Sequence, residues 1–260
     1  MKQWFKQKKV YVWIVLTALT VGVGTFCYYA YQQHYFEQET AERQELALKT
    51  MEQKEAQGTN QQAKKTSNPT DKKEGKDAKK AKEAQEQGYE KAKGKQQFSV
   101  DSSQVDYSGK DVKPLTLKSM EKVNAVKVIQ SVGVGTIEIP RIGLKLPILE
   151  GISQENLSVG AGTMKAGQVL KQGNFVLAGH YMTDQGLLFG GIKQVKAGDQ
   201  IVVTYQSEQA TYQVTETKVI SKDDGYVTFD SEGDGILTLL TCDRPAVHTP
   251  NRFMVRAVCQ

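Results

Sequence analysis

The pattern of hydrophobic and polar positions divides the chain into an apolar stretch, a polar middle and a C-terminal half of short apolar runs. In the C-terminal half, runs rich in Val, Ile, Leu and Thr recur at close spacing with turn residues between them. They predict eight strands, at 135–140, 146–149, 160–164, 174–180, 200–206, 210–220, 235–242 and 252–259. Two intervening segments, 152–158 and 186–195, are predicted to form short helical turns. Short strands at this spacing indicate an all-β barrel or sandwich.

The N-terminal pattern predicts a membrane helix. A basic tail, residues 1–9, precedes an uncharged and mostly apolar stretch at 10–31. As a helix this stretch is about 33 Å long, enough for a hydrocarbon core of about 30 Å. Lysines dominate the tail and glutamates follow the span, so the positive-inside rule places the N-terminus in the cytoplasm. The sequence therefore predicts a single-pass signal anchor in the cell membrane, with the remainder of the chain outside.

A cleaved signal peptide is the alternative for this stretch. Gly22 and Gly24 offer a small-residue cleavage site after a hydrophobic run of suitable length. The apolar run nevertheless continues to Tyr31, with aromatic residues suited to a membrane interface. We therefore favour a retained anchor, in which Cys27 is an inert membrane thiol.

The polar middle predicts a linker rather than a second domain. Between Glu52 and Gln97 the chain has no Val, Ile, Leu, Met, Phe or Trp, so this segment cannot bury enough apolar surface to fold alone. We assign 32–97 to a charged extracellular linker, partly helical or disordered, in which 37–57 can continue the helix outward. A lead-in segment, 98–129, with a helix from Ser119 to Ile129, then joins the linker to one domain at 130–260.

The net charge of +5 belongs largely to linker lysines. They alternate with acidic residues and have no stacking aromatics among them, which argues against nucleic-acid binding. A solvated spacer is the favoured interpretation, and attraction to anionic wall polymers or lipid headgroups is the alternative.

Candidate chemistry lies on the last two predicted strands. Because side chains alternate along a strand, Thr238, Leu240 and Cys242 share one face. Arg252, Met254 and Arg256 likewise share a face on the next strand. A cysteine nucleophile needs a partner that handles protons, and a guanidinium, which stays protonated, can only stabilise an oxyanion or hold a carbonyl. His180, which ends the apolar run 174–180, is the best-placed base.

Each candidate has a competitor. Cys242 can be a buried structural thiol, or it can form a disulfide with Cys259. His248 lies only six residues from Cys242, but in a segment typical of an exposed loop. Arg256 shares its face with Arg252 and is the second candidate for the arginine.

Several motifs together resemble the class A sortases, which are membrane-anchored cysteine transpeptidases of Gram-positive bacteria. They are Thr238-Leu-Leu-Thr-Cys242, Leu177-Ala-Gly-His180, Gly135-Thr-Ile-Glu-Ile-Pro140 and an arginine ten residues after the cysteine. The resemblance covers roughly 130–260. It implies an eight-stranded sortase-type β-barrel with short helices, and it assigns catalysis to His180, Cys242 and Arg252.

The resemblance also implies a peptide groove and the ligands it takes. Its residues would be Ala178, Val227, Thr238, Leu240, Thr241 and Met254. No cofactor is implied. Some class A sortases bind calcium through acidic residues before the Ala-Gly-His strand, but segment 165–173 has no carboxylate. We therefore expect no metal site and no calcium dependence.

The implied reaction is cleavage of a Leu-Pro-x-Thr-Gly sorting signal between Thr and Gly in secreted proteins. The Thr carboxyl would then be joined to an amine of a lipid II-type peptidoglycan precursor, which anchors the protein to the cell wall. A cysteine endopeptidase that releases the acyl group to water is one alternative. A non-catalytic, membrane-tethered wall-binding module is the other.

Overall fold

The computed structural model describes residues 2–65, 100, 105–233, 235–245 and 249–260. The linker from 66 to 97, most of the lead-in before 105, and His248 lie outside the described residues. The helices are α1 (Lys2–Lys65), α2 (Leu117–Met120), α3 (Ala125–Val132) and α4 (Gln154–Leu157). Within the described residues, three segments form 3₁₀ helices, Pro140–Ile142, Gly190–Gln194 and Gly225–Thr228.

Eight strands follow the lead-in, and all eight predicted strands are present. They are β1 (Gly133–Ile139), β2 (Leu144–Leu149), β3 (Ala161–Thr163), β4 (Asn174–Ala178), β5 (Gln200–Tyr205), β6 (Glu208–Ser221), β7 (Ile236–Cys242) and β8 (Asn251–Cys259). They close into a barrel in the order β1-β2-β3-β4-β7-β8-β6-β5. The pairs β2/β3 and β4/β7 are parallel, and the others are antiparallel. The prediction of an eight-stranded barrel is therefore confirmed.

Alternation along the strands fills the barrel interior. Ile137 of β1 and its β5 partner Val203 are fully buried, as are Leu237 and Leu239 of β7. Gly135 allows β1 and β5 to approach closely, since a Cβ there would lie 1.9 Å from the carbonyl oxygen of Thr204. The remaining face of β4, β7 and β8 points away from this core and carries the candidate site.

The outer half of α1 packs against the barrel. Ala47 and Met51 are completely buried and belong to the main core. The Nζ of Lys54 donates to three backbone carbonyl oxygens at the end of α3, at 2.8 to 3.1 Å. The linker assignment allowed for a helix here, but contact with the barrel was not expected.

The inner half of α1 matches the predicted membrane span. It is long and apolar enough to cross a membrane, and its apolar window is fully exposed in the structure. The helix therefore fits a single-pass membrane anchor.

The lead-in differs from the single helix expected over 119–129. The first helix, α2, ends at Met120, and α3 begins after Asn124, whose side chain accepts a hydrogen bond from the backbone N–H of Lys127 at 3.0 Å. An asparagine that caps a new helix competes with continuation of the previous one, and this explains the break.

Candidate active site

Strand pairing brings the candidate thiol and guanidinium together. Cys242, the last residue of β7, is the direct cross-strand partner of Arg252 on β8. The parallel β4/β7 pair places Ala178 beside Leu240, so His180 emerges two residues beyond, next to the end of β7. His180, Cys242 and Arg252 all line one groove with a cavity volume of about 640 Å³. The structure thus brings the three predicted catalytic residues to a single surface.

The Ala-Gly-His segment is held to β7 through Gly179. Its N–H donates to the carbonyl oxygen of Leu240 at 3.1 Å, and its own carbonyl accepts from the Thr241 hydroxyl at 2.8 Å. A side chain on Gly179 would lie 2.6 Å from the ring of Phe189. The backbone N–H of Phe189 also donates to the carbonyl of His180 at 3.0 Å. Glycine at 179 therefore permits the packing that fixes the histidine beside the cysteine strand.

His180 is a buried, neutral base at rest. Its side chain is 8% exposed, and Nε2 has no hydrogen-bond partner among the described residues. Burial lowers the pKa of His180 to about 4, because the charged imidazolium loses solvation. At neutral pH the ring is therefore uncharged, and its buried Nε2 is not engaged by another described residue.

Cys242 is a thiol at rest. Burial raises the pKa of Cys242 and outweighs the guanidinium of Arg252, which lowers it, while the carboxylate of Asp243 raises it further. Cys242 and His180 are therefore both neutral before substrate binds, and they do not form a thiolate–imidazolium pair at rest.

Arg252 is oriented by backbone oxygens. Its Nη1 donates to the carbonyls of Thr249 and Asn251, each at 2.9 Å. The hydroxyl of Thr249 in turn donates to the carboxylate of Asp243. No carboxylate is paired with Arg252 among the described residues, so its other N–H donors remain available for a carbonyl or an oxyanion.

The structure bears on the competing candidates. Cys259 lies seven residues along β8 from the partner of Cys242, about 23 Å away, which is too far for a disulfide. Arg256 does not line the groove, and its Nη2 lies 3.4 Å from the carbonyl oxygen of Val227. His248 is outside the described residues.

The six predicted groove residues fall into two sets. Ala178, Val227, Leu240 and Thr241 line the groove. Thr238 and Met254 do not line it, and they are 0% and 2% exposed. Met254 supports the groove from below, in a small cluster with Val227 and Leu240.

Asn174, at the start of β4, is a positioning residue that sequence reasoning missed. Its side-chain amide donates to the carbonyls of Val227 at 2.8 Å and Phe229 at 3.1 Å, and its oxygen accepts from Thr238 at 2.8 Å. The amide thus ties the segment that carries Val227 to the sheet beneath it. Thr238 therefore supports the groove wall indirectly, through Asn174.

The lead-in also contributes to the groove. Ser108, Gly109 and residues 112–115 line it, although no sequence pattern indicated a role for them. Tyr107 fastens this segment, because its hydroxyl donates to the buried carboxylate of Glu150 at 2.7 Å. No pattern in the sequence pairs an isolated tyrosine with a glutamate in the barrel.

The segment before β4, where the sequence analysis looked for calcium ligands, forms an ion pair in the structure. No group of three or more potential ligands among His, Cys, Asp and Glu occurs in the described part of the chain. Lys165, in the loop before β4, forms an ion pair with Asp230 at 2.6 Å. The ammonium group of Lys165 thus already neutralises the carboxylate of Asp230.

The pH dependence of thiol alkylation tests the resting state of Cys242. We expect the rate of Cys242 modification by iodoacetamide to keep rising through pH 9, because its raised pKa keeps the thiolate scarce below that pH. Arg252→Met should move the profile to still higher pH, since the charge that lowers the pKa is lost. Peptide mass spectrometry separates Cys242 from Cys27 and Cys259. A plateau near pH 7 would contradict this assignment.

A closed barrel that presents a thiol, an imidazole and a guanidinium in one groove has the groups that cysteine-dependent acyl transfer requires. Comparison with known proteins identifies the family to which this barrel belongs. The sequence model of the sortase domain family matches residues 137–260. Sortase A of Listeria monocytogenes is 39% identical over 146 residues, which cover 55% of this chain and 65% of that protein. The Bacillus subtilis protein YwpE, whose name also places it among the sortases, is 39% identical over 93 residues, which cover 36% of this chain and 89% of that protein.

The solved structure of Listeria monocytogenes sortase A is 38% identical, with a TM-score of 0.47, over 50% of this chain and 88% of that one. The chain belongs to the sortase family, and the expected resemblance is confirmed. It spans just under two thirds of the Listeria relative.

Proposed function

We propose that this protein is a membrane-anchored cysteine transpeptidase that cleaves a Leu-Pro-x-Thr-Gly-type signal between Thr and Gly. The observation that carries the proposal is the cross-strand pair of Cys242 and Arg252, with His180 in the same groove of a sortase-family barrel. The single apolar helix supports membrane attachment. The basic residues before this helix favour a cytoplasmic N-terminus and an extracellular barrel.

The resting protonation states support a definite order of events. The Cys242 thiol attacks the Thr carbonyl carbon as its proton passes to Nε2 of His180, and the carbonyl oxygen becomes an oxyanion that Arg252 stabilises. Collapse breaks the C–N bond, and the imidazolium gives its proton to the departing glycine amine. The product is a thioester on Cys242 and a neutral His180.

The second half reverses these roles. An amine attacks the thioester, His180 accepts a proton from it, and collapse restores the Cys242 thiol as His180 returns that proton. One amide replaces another, so the reaction needs no ATP. We propose an amine of a peptidoglycan precursor as the acceptor and secreted surface proteins as the donors.

The groove supports a peptide with an apolar side chain near the scissile bond. Four apolar side chains line it, namely Val227, Leu240, Ile152 and Leu157, and Leu240 lies two residues before Cys242 on β7. Burial of one leucine-sized side chain contributes roughly 1.5 to 3 kcal/mol. This wall favours a peptide substrate over a small polar acyl donor.

A product assay on the full chain in detergent tests the proposal. With a Leu-Pro-x-Thr-Gly peptide and a glycine-like amine, we expect a ligated product whose yield rises with the amine concentration. Arg252→Lys, which keeps the charge but loses the planar fork, should lower kcat by about 10²-fold. Only hydrolysed peptide at every amine concentration would favour an endopeptidase, and no turnover by a folded chain would favour a wall-binding module.

Calcium should not change the activity. Lys165 is paired with Asp230, and segment 165–173 supplies no carboxylate, which argues against an oxygen cage for calcium in the loop before β4. We expect kcat and KM to be equal in EDTA and in millimolar calcium. Stimulation by calcium that is lost in Asp230→Asn would contradict this prediction.

Replacement of Asn174 should weaken substrate binding more than chemistry. Asn174→Asp turns a donor into an acceptor that faces two carbonyls, which disturbs the segment that holds Val227. We expect KM for the sorting peptide to rise about tenfold, while kcat changes little. Thr238→Val, which removes only the hydroxyl bonded to Asn174, should raise KM less. A fall in kcat at unchanged KM, with the melting temperature preserved, would refute this positioning role.

A further inference from the structure

The contacts of α1 show how the barrel is oriented along this helix. Phe36 lines the active-site groove, Thr40 and Arg43 contact the lead-in near Met120 and Val123, and Gln44 contacts Leu188. Farther along, Lys54 contacts the end of α3 and Gly133. At a rise of 1.5 Å per residue, Phe36 and Lys54 are about 27 Å apart along the axis. The barrel therefore lies lengthwise on α1, with its groove at the end nearer the apolar span.

Aromatic residues mark where the apolar span of α1 ends. Tyr28, Tyr29 and Tyr31 are 60 to 71% exposed, and Tyr35 is 47% exposed one turn later. Tyrosines with this exposure are typical of the interface between hydrocarbon and headgroups. Tyr31 is also the last residue of the mostly apolar stretch, before the polar Gln32 and Gln33, so the end of this stretch lies at the level of the tyrosines.

The groove begins at that level. Gln33 and Phe36 line the same cavity as Cys242, His180 and Arg252. They follow Tyr31 by two and five residues, or about 3 Å and 8 Å along the helix axis. The headgroup region is about 5 to 8 Å thick on each side of the hydrocarbon core. The groove therefore reaches the headgroup layer.

The charges that line the groove suit this location. Lys113, Lys222, Arg244 and Arg252 carry positive charge, and Asp224 is the one acidic side chain among the described residues that line it. Lys222 is paired with Asp223 at 2.7 Å, and Arg244 with Asp243 at 3.5 Å. Basic side chains are attracted to an anionic lipid surface. No ion pair among the described residues involves Lys113 or Arg252, so these two cations remain to face a negatively charged membrane surface.

We propose that α1 is a docking arm which holds the active-site groove against the lipid surface, so that the groove works at headgroup level on substrates that are themselves at the membrane. This inference rests on the proposed membrane anchoring of α1. It deepens the proposed function by replacing a freely tethered domain with one of fixed height and orientation. The groove would then reach a membrane-attached polypeptide whose reacting bond lies within about 10 Å of the hydrocarbon while that polypeptide stays in the membrane. A soluble polypeptide would gain nothing from this position of the groove.

A fluorescence experiment on the full chain measures the height of the groove without using catalysis. In a Cys27→Ala, Cys259→Ala background, Cys242 is labelled with bimane, and the protein is reconstituted in phosphatidylcholine and phosphatidylglycerol vesicles. Nitroxide lipids labelled at the headgroup should quench this dye strongly. A dye at Lys145→Cys, in a Cys242→Ala version of that background, should be quenched far less, because Lys145 pairs with Glu52 near the outer end of the docked barrel.

A helix insertion provides the decisive variant. Seven helix-forming residues inserted between Tyr31 and Gln32 add nearly two whole turns, so they raise the groove by about 10 Å and preserve its facing direction. All docking contacts from Phe36 onward lie beyond the insertion and are retained. We expect quenching of the Cys242 dye to fall by more than half. The same seven residues inserted after Gln57 lengthen the helix beyond the docking contacts and should leave quenching unchanged.

The results separate this proposal from the proposed reaction. Equal quenching in the two insertion variants, or no headgroup quenching in the parent, would overturn the membrane-facing groove whether or not the enzyme is active. Strong quenching that the first insertion removes would establish the groove height even if no peptide is ligated. In an active enzyme, the same insertion should lower kcat/KM at least fivefold for a lipid-anchored amine and leave a soluble amine unaffected.

Discussion

Replacement of Cys242 by alanine should abolish ligation and hydrolysis of the sorting peptide, with a fall in kcat of at least about 10⁴-fold. The reason is that no other described nucleophilic thiol lines the groove, and neither the neutral imidazole nor the guanidinium can form the acyl intermediate. Ligation followed by mass spectrometry measures the effect. Binding of the peptide should survive, because the apolar groove wall is intact.

Cys259 supplies the matched control for this change. It is a second free cysteine, half-buried at the far end of β8, and Cys259→Ala should keep the parent activity. An active Cys242→Ala, or a Cys259→Ala that loses activity while keeping its melting temperature, would show that the nucleophile has been placed wrongly. Capture of the acyl intermediate on Cys242 with a slow substrate analogue gives a direct readout of the bond itself.

Replacement of His180 by glutamine should lower kcat by about 10²- to 10⁴-fold, the range expected for loss of a general acid–base group. Glutamine keeps hydrogen-bonding atoms but cannot carry the proton to the glycine amine. A thioester substrate whose leaving thiolate departs without protonation should lose less activity than the amide. The ratio of the two losses therefore distinguishes proton transfer from a structural contribution.

His180 also has an expected effect on stability. Its pKa is about 4 in the folded state and about 6.5 in a free histidine, so the unfolded chain binds the extra proton first as the pH falls. The contribution is fully present above pH 6.5 and is lost between about pH 6.5 and 4. From pH 7 to pH 5 this loss amounts to about 2 kcal/mol. His180→Gln should flatten that part of the profile in urea unfolding, whereas His248→Gln serves as the control.

The strands and their faces were predictable because a period of two is visible in a sequence without any partner. Cys242 and Arg252 could be placed on matching faces for this reason, and their direct pairing followed from antiparallel neighbours. Pairs of strands that are distant in sequence were harder to predict. The parallel β4/β7 pair, which brings His180 beside Cys242, was not predicted, and His180 was singled out by its place at the end of an apolar run and by the family resemblance.

Polar contacts over long sequence distances were not predictable. A buried asparagine at the start of a strand reads as a turn residue, and only the fold shows that Asn174 holds the segment around Val227. The docking face of α1 left a weak trace, since Phe36, Thr40, Ala47 and Met51 recur at helical spacing. This pattern was obscured by the many Glu and Gln residues around it, because such residues occur equally well in a helix that is exposed to solvent on all sides.

The central position of β7 has a consequence for the order of folding. This strand lies between β4 and β8, and it carries the thiol to a histidine that precedes it by 62 residues. Loop-closure entropy opposes such a pairing until many contacts form together. Six strands are synthesised before β7, and none of them can complete the cylinder alone. A nascent chain therefore contains His180 before Cys242 has been synthesised. The barrel closes and the candidate active site assembles in the same late step.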